Sequence, residues 1–413
     1  MSSGLHTFIA PPRPFTIQFD PKELDDLNDR LSRARWPLVD AVPDDRSPDD
    51  PAPFGMGPGP TIKLMKKLAE EWRTQYKWKD TENHFNTFKH YKVQIEKLDI
   101  HFLHHPSTHS NAKALILCHG WPGSFAEFLH MIPLLTDPVS STQQAYHVVV
   151  PSMPGFTFSD PPPTSKWCMD DTARVYDKLM TGLGYHEYAS QGGDWGSITA
   201  RCLGALHDDH CKAVHLNFLP ASPDGVLGMI PPRFLLSYLP NFIMPDLRRQ
   251  RLLRALDYVE KGSAYYAIQK LTPRTATFGL NDSPIGLLSW IAEKMIPFID
   301  AAQSTQESPT LTRWTLYETC TMYWLTHSIG TSFSSYSQNR HFKDFLTDPK
   351  YRLENMALST FPNEIVISPV EWVKKTGDLK WNKEHTDGGH FVAVELPQAL
   401  TDHVREAFDK IWV

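Results

Sequence analysis

Residues 188–197 read Tyr-Ala-Ser-Gln-Gly-Gly-Asp-Trp-Gly-Ser, and how they are read decides the fold. A short apolar stretch, Tyr188 to Ser190, runs into Gly192-Gly193-Asp194-Trp195-Gly196, and a helical pattern begins near Ser197. Small residues two before and two after Asp194 permit a sharp strand-to-helix elbow that holds the central side chain exposed above a sheet. Asp194 then stands where such a turn carries a nucleophile. The pentapeptide alone reads equally well as an acidic helix cap in a glycine-rich turn, because short glycine motifs recur by chance. Its surroundings have to decide.

Outward from the elbow, Ala114 to Cys118, Val148 to Val150 and Ala213 to Leu216 are short apolar runs, separated by the helical stretches Ser124 to Leu135 and Asp171 to Leu183. That rhythm predicts an α/β fold with a mostly parallel sheet covered by helices. Upstream, Tyr91, Val93, Ile95 and then Leu98, Ile100, Phe102 alternate as two antiparallel strands around a tight turn. Earlier still, Asp20, Pro21 and Glu23 mark a helix start, followed on one face by Leu24, Leu27 and Leu31. Prolines and glycines from Pro43 to Pro60 forbid a regular element before a second helix with Met65, Leu68 and Trp72. Beyond about Pro220 the strand rhythm stops and helix-like patterns such as Leu287, Leu288, Ile291 and Met295 take over. Alternation resumes with Ile365 to Ile367 or the preceding Met356 to Ser359, then Leu379 to Trp381, then a last helix near Leu396 to Ile411. The expected division is an N-terminal wrapping segment over 1–88, a first core part over 89–219, an inserted helical lid over 220–341 and a second core part over 342–413.

Composition narrows the classes. With 41% hydrophobic and 21% charged residues in 413, the chain has a globular make-up that excludes wholesale disorder. The balance of 41 basic against 47 acidic residues, net −6, carries no nucleic-acid footprint. Cys118, Cys168, Cys202, Cys211 and Cys320 are widely spaced and form no C-x-x-C pair, which reads as reduced thiols. The start has Pro11, Pro12 and Pro14 and no signal-like apolar core, and no run approaches 18 apolar residues. A soluble cytoplasmic protein without a membrane anchor is expected. His101, His104, His105 and His109 lack a supporting acid motif and are read as surface residues, so neither metal nor cofactor is expected.

Further stretches give the elbow its context. His119-Gly120-Trp121-Pro122-Gly123 follows directly on the run ending at Cys118, where the oxyanion loop of an α/β-hydrolase lies. Alone it is a tight turn, but in this order the backbone N–H groups of Trp121 and Trp195 are candidates for an oxyanion hole. Gly388-Gly389-His390-Phe391 precedes the final helix and puts His390 on a loop at the sheet's carboxyl edge, as a general base requires. His385 is its nearest competitor and reads as a solvated loop histidine. Glu364 of Phe361-Pro362-Asn363-Glu364 would orient His390, ahead of Asp378 and Asp387. Nucleophile, acid, histidine is the α/β-hydrolase chain order.

Through the segment from Phe15 to Arg35-Trp36-Pro37, then HGWPG, GGDWGS, FPNE and GGHF, the chain resembles epoxide hydrolases of the α/β-hydrolase fold, of the microsomal type, over nearly its whole length. The resemblance implies Asp194 as nucleophile, His390 as base, Glu364 as third member and two lid tyrosines as acids, Tyr265 and Tyr336. Tyr266 adjoins Tyr265, so the register of the first tyrosine stays open. Microsomal members carry an N-terminal anchor; the start of this sequence departs from that pattern, and membrane attachment is not expected. The implied partners are an apolar epoxide and water, with a homodimer as a further option.

Chemistry accounts for aspartate at the elbow. A serine attacking a saturated epoxide carbon would form an ether that water does not readily cleave, whereas a carboxylate forms an ester open to attack. Haloalkane dehalogenases share that logic, and Trp195 directly after the nucleophile resembles their halide-binding residue. The tyrosine pair and the long N-terminal segment favour the epoxide. A non-enzymatic protein on the same fold would be expected to lack a catalytic group, and none is missing.

Overall fold

The computed structural model describes residues 6–43, 57–140, 142–221, 246–305, 310–339 and 342–412. Most of the excursion 43–60 and the first part of the expected lid lie outside the described residues. Among the described residues nine strands form one sheet: β1 (Arg13–Phe15), β2 (His90–Ile95), β3 (Leu98–His105), β4 (Lys113–Cys118), β5 (Tyr146–Pro151), β6 (Tyr188–Gly192), β7 (Cys211–Leu216), β8 (Leu353–Thr360) and β9 (Gly377–Glu384). Their order is β1-β2-β3-β5-β4-β6-β7-β8-β9, antiparallel from β1 to β5 and parallel from β5 to β9.

The alternation around Tyr91 becomes the β2–β3 hairpin. Its two turn residues, Glu96 and Lys97, both have positive φ, 52° and 71°, as a twist-matched two-residue turn requires. Glu96 is paired there with Arg174 and Lys178 of α5 (Met169–Gly182), and hydrogen bonding from Arg174 holds its carboxyl down at about 2. The open choice of strand after the lid is resolved, and one expected helix needs correction. Ile365 to Ile367 is no strand; the ladder beside β7 and β9 is β8, which contains the alternative Met356 to Ser359. The stretch Ser124 to Leu135 is not one helix but a 3₁₀ turn, Phe125–Phe128, then α4 (Met131–Thr136). Pro133, with no N–H to give, fits the opening turn of a helix and not its middle.

α6 (Asp194–Leu206) packs on β4, β6, β7 and α5, while α4 packs on β5 and on the last helix, Pro397–Ile411, which also covers β7 to β9. Between β7 and β8 the described chain is helical, with long members Pro284–Thr305 and Arg313–Thr326. Three N-terminal helices, α1 (Pro21–Ser32), α2 (Ile62–Thr74) and α3 (Trp78–Phe85), pack on them. The Asp20 carboxylate caps α1 by accepting from Lys22 N–H at 3.0 Å. Leu27 and Leu31 are buried on the helix's inner face, each worth about 1.5–3 kcal/mol. Trp72 Nε1 donates to Thr321 Oγ1 at 2.8 Å and the Tyr317 hydroxyl to Glu71 at 2.7 Å. These bonds tie α2 to the Arg313–Thr326 helix.

Of the histidines of β3, His101 is not a surface residue but core, while His104 and His105 are half-buried. His101 is buried between His90 and Ser152, at 2.9 and 2.8 Å, and burial keeps its ring neutral by lowering its pKa well below the usual value. His104 bonds Tyr185, and His105 accepts from Lys89 N–H. Hydrophobic alternation does not reveal such satisfied polar positions, because it counts a histidine as polar wherever it points.

Candidate active site

Asp194 is the first residue of α6, three residues before the expected helix start, and its φ of 48° lies in the left-handed region that a sharp elbow imposes. Close packing explains the flanking glycines. A methyl group at Gly196 would overlap the Cys118 carbonyl oxygen, and one at Gly120 would overlap the Asp194 carboxylate. With both absent, Trp121 N–H donates to Asp194 Oδ1 at 2.7 Å. Trp195, the other expected oxyanion donor, lies in the first turn of α6, where backbone N–H groups have no partner within the helix. His119 braces the loop: its Nε2 accepts from Met153 N–H at 3.0 Å, so Nδ1 carries the proton and donates to the Gly120 carbonyl at 3.1 Å. Burial holds the His119 ring down at about 4, neutral as this requires.

His390 reaches Asp194 from the opposite side. Its Nε2 lies 3.5 Å from Asp194 Oδ2, and its Nδ1 lies 2.6 Å from Glu364 Oε1. The loops carrying the acid and the histidine are paired: Asn363 bridges Gly389 in parallel, and Asn363 N–H donates to the Gly388 carbonyl at 3.0 Å. The other Glu364 oxygen is buried with no partner among the described residues. Burial works against a charged His390 ring, but Glu364 and Asp194 outweigh it and raise its pKa well above the usual value. The rival acids are engaged elsewhere, Asp378 with Lys380 and Asp387 with Thr386, and His385 is half-buried beside Asp387.

The tyrosines lie over this centre. Tyr265, in the helix Ala264–Leu271, stacks on Trp121 at 5.4 Å, and the Tyr336 ring stands edge-on to Trp121 at 5.7 Å and to Trp195 at 5.0 Å. The Tyr336 hydroxyl is buried and has no partner with hydrogen-bond geometry among the described residues. Burial first, and then the nearby Asp194 charge, push its phenol well above 10; burial, Tyr336 and Asp194 do the same to Tyr265. Tyr266 stacks on Trp195 at 6.4 Å. Tyr265 lines a chamber with Trp121, His390, Phe298 and Phe391, whereas Tyr266 does not.

Sequence reasoning missed three neighbours in that chamber. The Tyr258 hydroxyl is 2.7 Å from that of Tyr265, Lys294 Nζ stands 4.3 Å over the Tyr265 ring while paired with Glu293, and Arg254 donates to the Pro362 and Asn363 carbonyls ahead of Glu364. No motif marks them, since each comes from the helical insertion and meets the centre only in space.

The sheet, the elbow and the acid-histidine pair define a hydrolase of the α/β-hydrolase class. The sequence matches the family description "Epoxide hydrolase N terminus" over residues 12–128 and "alpha/beta hydrolase fold" over 113–249. It is 32% identical to Epoxide hydrolase 1 of Sus scrofa over 411 residues, 95% of this chain and 88% of that one. The fold superposes on the epoxide hydrolase of Aspergillus niger with a TM-score of 0.83 at 30% identity, covering 99% of both chains. It superposes on the juvenile hormone epoxide hydrolase of Bombyx mori with 0.82 at 28%, covering 97% of this chain and 94% of that one. The chain belongs to the epoxide hydrolase family and is an enzyme, a hydrolase. This membership decides for the epoxide over the dehalogenase and binding-protein alternatives. Among the described residues no helix is long and apolar enough to cross a membrane.

Proposed function

We propose that this enzyme opens an apolar epoxide to a vicinal diol through a covalent ester on Asp194. The observation that carries the reading is the Asp194 carboxylate set between Trp121 N–H at 2.7 Å and His390 Nε2 at 3.5 Å. Asp194 attacks an epoxide carbon, a C–O bond forms and the ring C–O bond breaks. The released alkoxide takes a proton from Tyr265 or Tyr336, both protonated at neutral pH because burial holds their phenols above 10. Ester formation removes the Asp194 charge, one of the two that keep His390 protonated, so the ring releases its proton to solvent, regaining it once Asp194 is freed, and becomes a base. His390 takes a proton from water, and the resulting hydroxide adds to the Asp194 carbonyl carbon. The Trp121 and Trp195 N–H groups stabilise the oxyanion. Collapse expels the diol oxygen, which takes the proton back from His390, and Asp194 returns its remaining proton to the tyrosinate. Glu364 keeps the ring oriented and stabilises its cation.

The chamber's Trp121, Phe298, Ile365 and Phe391 support an apolar substrate. All five cysteines are free, which supports a reducing, cytoplasmic compartment. Whether the enzyme is a homodimer is read from the mass in light scattering. The deciding experiment for the mechanism is a single turnover in ¹⁸O-water. Label in Asp194, together with an enzyme-plus-substrate mass in His390→Gln, supports the ester, and label confined to the diol rejects it.

A further inference from the structure

Behind Asp194, away from the tyrosines, lies a cavity of about 20 Å³ lined by Gly120, Glu127, Gly193, Asp194, Asn217 and His390. That is room for about one water, which needs two to four polar partners to settle. Glu127 and Phe391 also line a second, polar recess of about 160 Å³, which takes in Ser124, Glu318, Thr312 and the exposed side chains of His84, His130 and Trp314. One carboxyl therefore faces both the surface-connected recess and the one-water space against the nucleophile and the base. Its place is made by Gly123, where a methyl group would overlap the Glu127 carboxyl.

We propose that Glu127 positions the hydrolytic water: its carboxyl oxygen accepts one water hydrogen while His390 Nε2 accepts the other, aiming the oxygen lone pair at the Asp194 ester carbon. The inference rests on the covalent reading above. Glu127 acts through the water and forms no bond to substrate. Burial, and next the neighbouring Asp194, push its carboxyl up to about 8, so it is present as the neutral acid and adds no charge to repel Asp194. The water enters from the recess on the His84 and His130 side, while the epoxide occupies the chamber under Tyr265. Glu127 lies four residues beyond the HGWPG loop, on the 3₁₀ turn, so the same loop that supplies Trp121 N–H also sets the water.

The test separates the two half-reactions with styrene oxide as substrate. Glu127→Ala slows ester hydrolysis by about 10- to 100-fold, as loss of one partner of a reacting group does, with ester formation changed by less than about threefold. Steady-state kcat and KM then fall together while kcat/KM holds, and intact-mass spectrometry finds the enzyme-plus-substrate adduct during turnover. Glu127→Gln, whose amide oxygen still accepts the hydrogen, recovers most of the rate. Should the alanine variant unfold, Glu127→Leu keeps the volume, removes the polar atoms and reads the same step. If His390→Gln traps the adduct but Glu127→Ala and Glu127→Leu hydrolyse it at the wild-type rate, Glu127 has no such role. A fall in kcat/KM shared equally by the Ala, Leu and Gln variants, without adduct, makes it a packing residue and overturns the proposal too. If His390→Gln never shows an adduct, the covalent reading itself fails, and the role of Glu127 with it.

Discussion

An aspartate can serve as nucleophile and be regenerated only if its neighbours distinguish the free carboxylate from the ester, and on the proposed mechanism those of Asp194 do. The His390 ring stands between Glu364 and Asp194, so esterification changes its charge balance at the moment a base is needed. On the proposed mechanism Glu364→Gln keeps the imidazole but loses the orienting charge, and ester hydrolysis slows without stopping. The tyrosines allow a sharper prediction. Tyr265→Phe and Tyr336→Phe each keep the ring and remove one donor, so each slows ester formation by about 10²–10³-fold, as deletion of one oxyanion donor does. Tyr258→Phe removes only the 2.7 Å partner of Tyr265 and costs about tenfold at most, as expected of one hydrogen bond. Tyr266→Phe leaves stopped-flow ester formation near wild type, because Tyr266 stacks on Trp195, whereas it is Tyr265 that stacks on Trp121, whose N–H holds Asp194. If Tyr266→Phe is the slow variant and Tyr265→Phe is not, the register moves by one and the mechanism stands.

At the scale of elements, α6 carries Asp194 at its first residue and a buried arginine in its middle. Arg201 donates to the Phe345, Tyr351 and Thr376 carbonyls at 3.0–3.2 Å, tying the helix of Asp194 to the segments before β8 and β9. Arg201→Met would strand these carbonyls and is predicted to cost about 3 kcal/mol, read from the shift in the urea midpoint. An unchanged midpoint would show that water replaces the guanidinium. Gly196→Ala pushes a methyl into the β4–α6 contact and is expected to yield insoluble or inactive protein, whereas Ala200→Gly in the same helix costs only about 1 kcal/mol. Elements with strong periodicity were legible, α1 through Leu27 and Leu31 and the β2–β3 hairpin through its alternation. The start of α6 was not, because glycines at 192, 193 and 196 hide the point where backbone bonding changes. The break in Ser124 to Leu135 hinged on a single Pro133.

For the whole molecule, buried titratable groups set the pH range of stability. Burial lowers His215 to about 3 and His104, His105, His119 and His403 to about 4, so all fold neutral. A lowered native pKa gives stability that is present above about 6.5 and lost as pH falls toward 4. Burial raises Glu127 and Glu318 to about 8 and Glu395 to about 7, which acts the other way, with stability present below about 4.5 and lost as pH rises to 8. The histidines outnumber the carboxyls, so Tm peaks near neutrality and falls by on the order of 10 °C by pH 4.5, with a gentler decline above pH 7. Calorimetry giving a flat Tm from pH 4.5 to 7 would contradict this. Removing residues 1–86 is expected to abolish soluble expression, since it uncovers the face on which Leu68 and Trp72 pack. The sequence by itself determined the fold class and pointed to Asp194 at an elbow, Glu364 and His390, in that chain order, the residues that the structure brings together. Those signals are local: glycine spacing, strand-to-helix rhythm and short motifs whose geometry is written within a few residues. Only the tertiary structure decided that Tyr265 and not Tyr266 lines the chamber, that Tyr258 and Glu127 stand beside the centre, and that His101 is core. Each of these depends on which side of a helix or strand meets a segment far away in the chain, and that is set by packing between layers rather than by neighbours in sequence.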